Sequence, residues 1–388
     1  MNTTPHIIPV PGVFILGVAV FWIVVWDAFE AIILPRRVTR KFRFARMYYR
    51  STWRLWKLIM AFVHAPKRRE IMLGFYGPIS LLVLVAVWAV GLVFSFGLMQ
   101  FGAGSAVVTN NGSSHFSTDM YLSGTTFFTL GLGDVLPRSG LSRFLVVAES
   151  GFGFGFLAAI IGYLPFIYGS FAVREVNISL LDSRAGTPPT AGELLRRHSY
   201  KNGQEALREL LKDWERWCAE LMESHLSYPV LAYFRSQHDN QSWVASLTSI
   251  LDTCALVMVG IEGSCEKQAQ LTFAIARHAT VDLAQVFGVT PVALTEDRLN
   301  PETLKRIRDI LAQNGLKLRD DAEADQKLIR LRAMYEPYIY GLATYLSQTL
   351  PPWIPSKRVK DNWQTTAWAQ LSGHLEKDAA TVNVDDHF

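Results

Sequence analysis

Three long apolar segments in the first half of the chain predict helices that span a membrane. They are residues 12–34, 71–99 and 141–173. A helix rises 1.5 Å per residue, so about 20 apolar residues cross a hydrocarbon core of about 30 Å. The third segment is longer than this, so we expect it to tilt, kink or extend beyond the bilayer. Pro78 should kink the second segment near its inner end, because proline cannot donate a helical hydrogen bond.

The charged residues predict the orientation of these spans. Residues 36–69 contain twelve Lys or Arg and no Asp or Glu, although the net charge of the chain is only +4. Loops rich in Lys and Arg stay on the cytoplasmic side. We therefore expect a multi-pass protein of the inner or plasma membrane, with the N-terminus outside and residues 175–388 in the cytoplasm. A basic block beside apolar spans indicates anionic lipid head groups, not nucleic acid, as its partner.

The basic segment 36–70 follows an N-terminal spanning segment at 1–35 and is predicted to be a helix in the membrane interface. Aromatic and aliphatic residues occupy the side opposite to the bases, so the apolar side would enter the bilayer. The bases that recur every three or four residues are Arg40, Arg43, Arg46, Arg50, Arg54 and Lys57. A voltage-sensing helix also repeats Arg and remains an alternative, although Ser51 and Thr52 interrupt the run and only one span precedes it.

Two acidic residues lie near the inner end of the first span. Asp27 and Glu30 are three residues apart, so they share one face of the helix. Acids at this depth in a membrane need partners. They either pair with the basic helix or lie at a polar helix end that water reaches, and the sequence leaves both possibilities open.

The segment 117–140, between the second and third spans, carries the candidate chemistry. It is too short to cross the membrane twice, and a helical run at 119–128 precedes the glycine-alternating string Thr129-Leu130-Gly131-Leu132-Gly133-Asp134. A half-helix and strand between two spans resembles the pore loop of potassium channels, whose filter consensus is TVGYGD. The resemblance covers about 71–173, within a pore module at 71–175. A phosphate-binding loop does not fit, because the third glycine of GxGxxG and its strand–helix frame are missing.

The glycine spacing has a physical reason. A dehydrated cation needs successive rings of oxygen atoms, which four chains supply when every backbone carbonyl points toward one axis. Such a backbone alternates between ordinary and left-handed dihedral angles, which glycine adopts without a Cβ clash. The resemblance implies a passive, potassium-selective homotetramer. In it, the carbonyls of residues 129–132 would line the filter and Asp134 would anchor it from behind. Potassium ions are the permeant ligands, and no cofactor, other metal or catalytic residue is implied.

Two departures from the family pattern concern the stiffness of the filter. Leu132 stands where the family has Tyr or Phe, and Leu122 leaves Tyr121 as the one ring of the usual aromatic pair in the pore helix. The strand should therefore be held less stiffly, so a weakly selective monovalent cation channel is a second hypothesis. A membrane-anchored sensor or adaptor with a vestigial pore is a third, because the second half of the chain is long and carries no recognisable motif.

The third span resembles the inner helix of these channels. The candidate hinge residues for gating are Gly151, Gly153, Gly155, Gly162 and Pro165. Glycine and proline are common where helices bend, but small residues also allow helices in membranes to pack closely, so both roles remain open. Glu149 should face the pore, a neighbouring chain or the surroundings of Asp134, and not lipid.

The second half of the chain is predicted to be a helical cytoplasmic domain at 193–350, after a Gly- and Pro-containing linker at 176–192 and before a loose tail at 351–388. Apolar periodicity predicts helices at 205–225, 241–262, 266–287, 301–313 and 323–348. The stretch 243–261 is nearly uncharged. A buried core helix is favoured there over a fourth span, because Ser, Thr and Asp252 are scattered through it.

The cytoplasmic half shows no recognisable site. The histidines His198, His225, His238 and His278 lack metal-ligand spacing, and the three cysteines have no CxxC pairing and fit a reducing compartment. The aromatic and polar stretch 226–238 is either a regulatory pocket or a packed loop, and no ligand is predicted. With 50% hydrophobic and only 19% charged residues, the composition excludes a disordered chain. The whole pattern predicts an all-α membrane protein, with a tetrameric pore-loop module and a helical cytoplasmic domain.

Overall fold

The computed structural model of the chain describes residues 9–34, 44–109, 115–236, 241–261, 265–292 and 297–355. The chain forms two units, Met1–Gly169 and Ser170–Phe388. Helices dominate both units, and the predicted all-α membrane fold class is confirmed. Four helical segments among the described residues are long and apolar enough to cross a membrane, namely Pro11–Ile32, Pro66–Gly102, Gly140–Ala185 and Trp243–Gly260.

The first unit consists of the membrane helices, the pore loop and a small strand pair. Its elements are α1 (Pro11–Ile32), α2 (Phe44–Ala61), α3 (Pro66–Gly74), α4 (Tyr76–Gly102), β1 (Val107–Thr109), α5 (Phe116–Phe127), β2 (Val135–Pro137) and the first part of α6 (Gly140–Ala185). The antiparallel strands pair Val107 with Pro137 and Thr109 with Val135. They therefore join the segment before α5 to the segment that follows the glycine string.

Helices α1 and α4 pack closely because glycines lie at their contact. A Cβ atom added to Gly17 would come within 2.8 Å of the Ser95 carbonyl oxygen, and one added to Gly102 within 2.3 Å of the Phe14 backbone nitrogen. Small residues allow such close approach between membrane helices. The outer helix α4 is thereby held between α1 on one side and the short helix α5 on another.

Prolines divide two predicted elements of the first unit. The described part of the predicted interfacial helix 36–70, which begins at Phe44, is two helices, because Pro66 begins α3 after a break at 62–65. The predicted kink in the second span is a break at Phe75, three residues before Pro78. Proline crowds the carbonyl of the fourth preceding residue, here Gly74, but is tolerated in the first turn of a new helix. Arg40 and Arg43 of the predicted basic helix lie outside the described residues.

The second unit is helical around one buried helix, α9. Its elements after the end of α6 are α7 (Ala191–Arg197), α8 (Gly203–Ser227), a 3₁₀ helix (Pro229–Tyr233), α9 (Trp243–Gly260), α10 (Glu266–Phe287), α11 (Pro301–Gln313), α12 (Ala322–Ala333) and α13 (Glu336–Leu346). All residues of α9 except Met258 and Gly260 are buried within the unit. The apolar residues of α9 therefore form the core of the second unit, as the scattered polar residues had indicated.

Three predicted boundaries of the second unit need correction. Helix α6 continues to Ala185, so the predicted linker 176–192 is reduced to the residues around Gly186, whose φ of +81° ends the helix. The predicted helix 323–348 is two helices, because Pro337 opens α13 after a break at Met334 and Tyr335. The beginning of the predicted loose tail is core, since Trp353 is fully buried, whereas 356–388 lie outside the described residues.

Candidate functional site

The glycine string after α5 has the alternating backbone that its sequence predicted. The φ angles of Gly131 and Gly133 are +56° and +77°. Thr129 also has a positive φ, of +56°, whereas Leu130 and Leu132 do not. The sequence placed Thr129 in the filter but did not predict its positive φ, because a β-branched residue in this conformation is rare and strained. The every-second-residue pattern of the two glycines was the signal that could have indicated it.

The C-terminal end of α5 holds the beginning of this string. The Leu130 amide donates to the Thr125 carbonyl at 2.8 Å, and the Thr129 amide donates to the Thr126 carbonyl at 3.0 Å. The helix spans Phe116–Phe127, three residues earlier at its start than the predicted run 119–128. Its last carbonyls are therefore directly bonded to the string, and any displacement of α5 displaces Thr129 and Leu130.

The loop itself is uncovered in the single chain. Leu130 and Leu132 are each 62% exposed, and every residue of 128–134 is exposed. No atom lies within 4 Å of a Cβ added to Gly131 or Gly133. Uncovered, irregular backbone at membrane depth occurs only where it is buried in protein or lines a water-filled cavity. The exposure of this loop is therefore what a segment surrounded by other protein chains or by water would show in a single chain.

Asp134 is tethered to the pore helix by the remaining aromatic ring. The Tyr121 hydroxyl donates a hydrogen bond to the Asp134 carboxylate. Leu122, beside it, is buried with Val107 and Val135 in a small cluster that joins α5 to the two strands. Asp134 thus has a position suited to the anchoring role that the resemblance implied. The sequence had not assigned Tyr121 to this bond.

The candidate hinge glycines of α6 fall into two groups. A Cβ added to Gly153 would lie 2.2 Å from the Phe127 carbonyl oxygen, so this glycine allows α6 to touch the end of α5. Gly151, Gly155 and Gly162 have nothing within 4 Å of an added Cβ. Helix α6 continues through Pro165 without interruption. Packing therefore explains Gly153, and a hinge at the other positions stays a prediction.

Glu149 faces the pore helix and not lipid. Its side chain is fully buried and forms a hydrogen bond with Ser123 of α5. The Ser123 hydroxyl also lies 2.7 Å from the Val93 carbonyl oxygen of α4. The outer, pore and inner helices therefore meet at one small polar cluster. Its partners are far apart in sequence, so no sequence pattern could have joined them.

The amphipathic helix α2 has three distinct faces. Its four described bases lie on one side, and on another side Leu55, Leu58 and Ile59 are exposed apolar residues. A third side, which includes Tyr49 and Trp53, is buried against the rest of the unit. The exposed apolar face is suited to the predicted membrane interface, while the buried face fixes the helix to α4.

Asp27 connects the basic helix to the two spans around it. Its carboxylate accepts the Ala45 amide at 3.1 Å, in the first turn of α2, and the Trp88 indole N–H of α4 at 2.9 Å. A carboxylate is favourable at a helix N-terminus because of the free amides and the helix dipole. Of the two possibilities left open, pairing with the basic helix holds for Asp27. Glu30 accepts the Trp26 indole N–H at 2.7 Å.

The second unit contains several buried polar contacts. Arg174 donates to the carbonyls of Leu231 and Phe234 and contacts His225 Nε2 at 3.2 Å, so the loop proposed as a possible pocket is packed. Burial and the nearby Arg174 hold the pKa of His225 well below its usual value. Across the described ranges, no group of three His, Cys, Asp or Glu could hold a metal ion. His238 lies outside those ranges.

The comparison with protein families agrees with this geometry. Residues 80–165 match the model of a family described as "Ion channel", a potassium channel-like family with two transmembrane helices and a pore loop. The match includes most of α4, all of α5, the glycine string and the first half of α6. No curated protein and no solved structure matches the chain. Residues 80–165 are therefore similar to an ion-channel family, and the long apolar helices around them support a multi-pass membrane protein.

Proposed function

We propose that this protein is a passive, potassium-selective channel built from four copies of the chain. The observation that carries the proposal is the alternating backbone of residues 129–133, with positive φ at every second residue. This alternation lets successive carbonyl oxygens point the same way and replace the hydration shell of an ion. Thr129, Leu130, Gly131 and Leu132 are the proposed ion ligands, and the Thr129 hydroxyl adds one more oxygen at the inner end.

Four copies follow from the geometry of coordination. One loop supplies a single carbonyl at each level, and a bare potassium ion needs a ring of them. The exposure of residues 128–134 in the single chain supports this assembly, because neighbouring copies would cover the loop. The dipole of α5 has its negative pole at the C-terminal end of the helix, so it favours a cation near Phe127.

The orientation is proposed from the basic residues. Positively charged loops stay in the cytoplasm, so α2 and α3 are placed inside, with the beginning of α1 and the strand pair outside. The second unit is then cytoplasmic and is proposed to regulate gating at α6 or at the filter. The exposed face of α2, which includes Leu55 and Leu58, would lie on the inner leaflet with Arg50 and Arg54 near anionic head groups.

A weakly selective cation channel is the second candidate function, and Leu132 favours it. Its side chain cannot donate a hydrogen bond that would brace the loop, whereas Tyr121 does donate one to Asp134. A vestigial pore in a membrane-anchored sensor or adaptor is a weaker candidate. The positive φ of Thr129 argues against it, because strained backbone of this kind clusters at functional sites.

A flux experiment with purified protein in liposomes tests these alternatives. Potassium and rubidium efflux with little sodium efflux is expected from a particle whose mass corresponds to four chains. Equal flux of sodium and potassium would replace the proposal with the weakly selective channel. Active protein that is monomeric or dimeric, or tetrameric protein without any ion flux, would contradict both channel hypotheses.

A further inference from the structure

Glu149 is a buried acid at the junction of α4, α5 and α6. Its Oε1 atom is hydrogen-bonded to the Ser123 hydroxyl, and its Oε2 atom is buried without a hydrogen-bond partner. The same Ser123 hydroxyl lies 2.7 Å from the Val93 carbonyl oxygen. No ion pair involves Glu149 among the residues that the structure describes.

Counting protons in this cluster indicates the charge of Glu149. A serine hydroxyl has one proton to donate. The Val93 carbonyl has none, so Ser123 donates to Val93. The contact between Ser123 and Glu149 then requires a proton on the carboxyl group. An ionised Glu149 would compete with Val93 for the one serine proton, and its second oxygen would be a buried charge without a donor, which is costly.

We infer that Glu149 is a neutral carboxylic acid that donates to Ser123, which donates to Val93, and that loss of the Glu149 proton stops conduction by releasing the pore helix. The protonation state of Glu149 is independent of the proposed channel function, whereas the effect on conduction rests on it. Glu149 is a positioning residue, because it acts on the filter through α5 and does not touch the ion.

The path from Glu149 to the filter is short. Ser123 is two residues before Thr125, whose carbonyl accepts the Leu130 amide at 2.8 Å. One turn further along α6, Gly153 touches the Phe127 carbonyl. Helix α6 therefore holds α5 at two successive points, and the first of them depends on a proton.

Among the described residues, the elements packed around Glu149 offer no charge that would compensate its ionisation. Helix α4 has no ionisable side chain after Tyr76. The ionisable groups of α1, α5 and the nearby part of α6 have other partners: Asp27 bonds Ala45 and Trp88, Glu30 bonds Trp26, Asp119 bonds Ser105, Tyr121 bonds Asp134, and Arg143 bonds the Pro137 carbonyl. Ionisation would thus leave an unpaired negative charge between three helices, which favours their separation.

Infrared spectroscopy tests the protonation state without ion flux. A protonated carboxyl group has a carbonyl stretch that an ionised carboxylate lacks. At neutral pH we expect this band in the full-length tetramer and its loss in Glu149→Gln. Glu175→Gln is the matched control, because Glu175 lies in the same helix, is ion-paired with Arg174 and should contribute no such band. A spectrum of Glu149→Gln identical to that of the parent in this region overturns the inference.

Rubidium flux measured from neutral to alkaline pH tests the functional part. The parent should lose most of its flux as the pH rises, with the same midpoint as the loss of the infrared band. Glu149→Gln should conduct at neutral pH and keep its flux, because the amide N–H still donates to Ser123 and cannot ionise. Different midpoints, or the same alkaline loss in Glu149→Gln, overturn the link to conduction. Absence of flux at every pH contradicts the channel proposal, while the infrared result still decides the charge of Glu149.

Discussion

The two units of the chain differ in where their polar groups find partners. The second unit pairs them within the chain, whereas the pore loop of the first unit is uncovered. In the second unit, the largely buried guanidinium of Arg298 contacts Asp252 at 2.7 Å and Glu336 at 3.2 Å, and it donates to the Pro351 carbonyl. The three partners come from three separate segments of the same chain. In the first unit, the pore loop at 128–134 is uncovered, and its glycines have no neighbours within 4 Å of an added Cβ.

The comparison shows which of the two units covers its polar backbone and side chains within a single chain. Exposed apolar residues of the first unit, such as Ile15 and Trp22 of α1, are explained by lipid. The pore loop is not, because lipid cannot hydrogen-bond its backbone. The second unit therefore folds around its own core, whereas the pore loop of the first unit is left uncovered, as the proposed assembly of four copies would require. Changes in the two regions should accordingly affect different measurements.

The largest expected effect is loss of selective flux in Gly131→Ala. A Cβ in a left-handed conformation costs about 1–2 kcal/mol per residue, and the cost is repeated in every copy of the chain. Gly140→Ala is the matched control, since Gly140 also has open space around its Cα but no positive φ. Potassium efflux from liposomes should be abolished in the first variant and retained in the second, with tetramers in both. Equal potassium efflux from Gly131→Ala and Gly140→Ala would show that residues 129–133 do not form the filter.

A smaller effect, confined to the second unit, is expected for Arg298→Ala. Removing the guanidinium leaves the buried Asp252 without its cation, whereas Glu336 keeps its ion pair with Arg332. Breaking a buried pair costs about 3–5 kcal/mol. Hydrogen exchange of α9 amides in the full chain should become faster, while the potassium-to-sodium flux ratio stays unchanged. The control is Arg319→Ala, whose exposed ion pairs with Asp321 and Glu323 contribute little to stability. A changed flux ratio in Arg298→Ala would show that the second unit shapes the filter.

The sequence predicted the membrane helices and the pore loop well because their signals are local. Uninterrupted apolar runs predict the spans, and the alternation of Gly131 and Gly133 predicts the left-handed backbone. Boundaries at Pro66 and Phe75 were misplaced, because a proline can bend a helix or begin a new one, and only packing decides between these outcomes.

The cluster around Glu149 could not be predicted, since contacts between distant residues depend on how helices pack. Ser123 is 26 residues from Glu149 along the chain. The same limit applies to Trp353, which lies in a Pro-rich segment yet is fully buried in the second unit. For α9, composition alone suits both a membrane span and a buried core helix. Its surroundings of α7, α10, α12 and α13 decide for the core.

The third prediction concerns the acid stability of the second unit. Burial raises the pKa of Glu193, but hydrogen bonds from Arg196 and Arg197 outweigh this and lower it to about 2. Because the folded value lies below the ordinary 4.5, the contribution is complete above that pH and is lost as the pH falls toward 2. It amounts to at most about 3 kcal/mol.

Unfolding temperatures of parent and Glu193→Gln should therefore differ at pH 5 and converge near pH 2. Glu205→Gln is the control, because the ion pair of Glu205 with Arg208 is exposed and should change the unfolding temperature little. A difference between parent and Glu193→Gln that is independent of pH would mean that the charge of Glu193 does not stabilise α7.

The smallest expected effect is a gain of selectivity from restoring the missing aromatic tether. Leu132→Tyr together with Leu122→Trp would add a hydrogen bond behind the filter, at about 0.5–1.5 kcal/mol, and 1.4 kcal/mol changes a ratio tenfold. Leu122 is buried with Val107 and Val135, so a larger ring there also costs about 1–3 kcal/mol in overpacking, which reduces the gain. Reversal potentials under mixed ions should give the double variant a higher potassium-to-sodium ratio than either single variant, with exposed Leu136→Tyr as the control. Identical ratios in all of them would mean that the stiffness of this loop is determined by the neighbouring copies rather than by residues of its own chain.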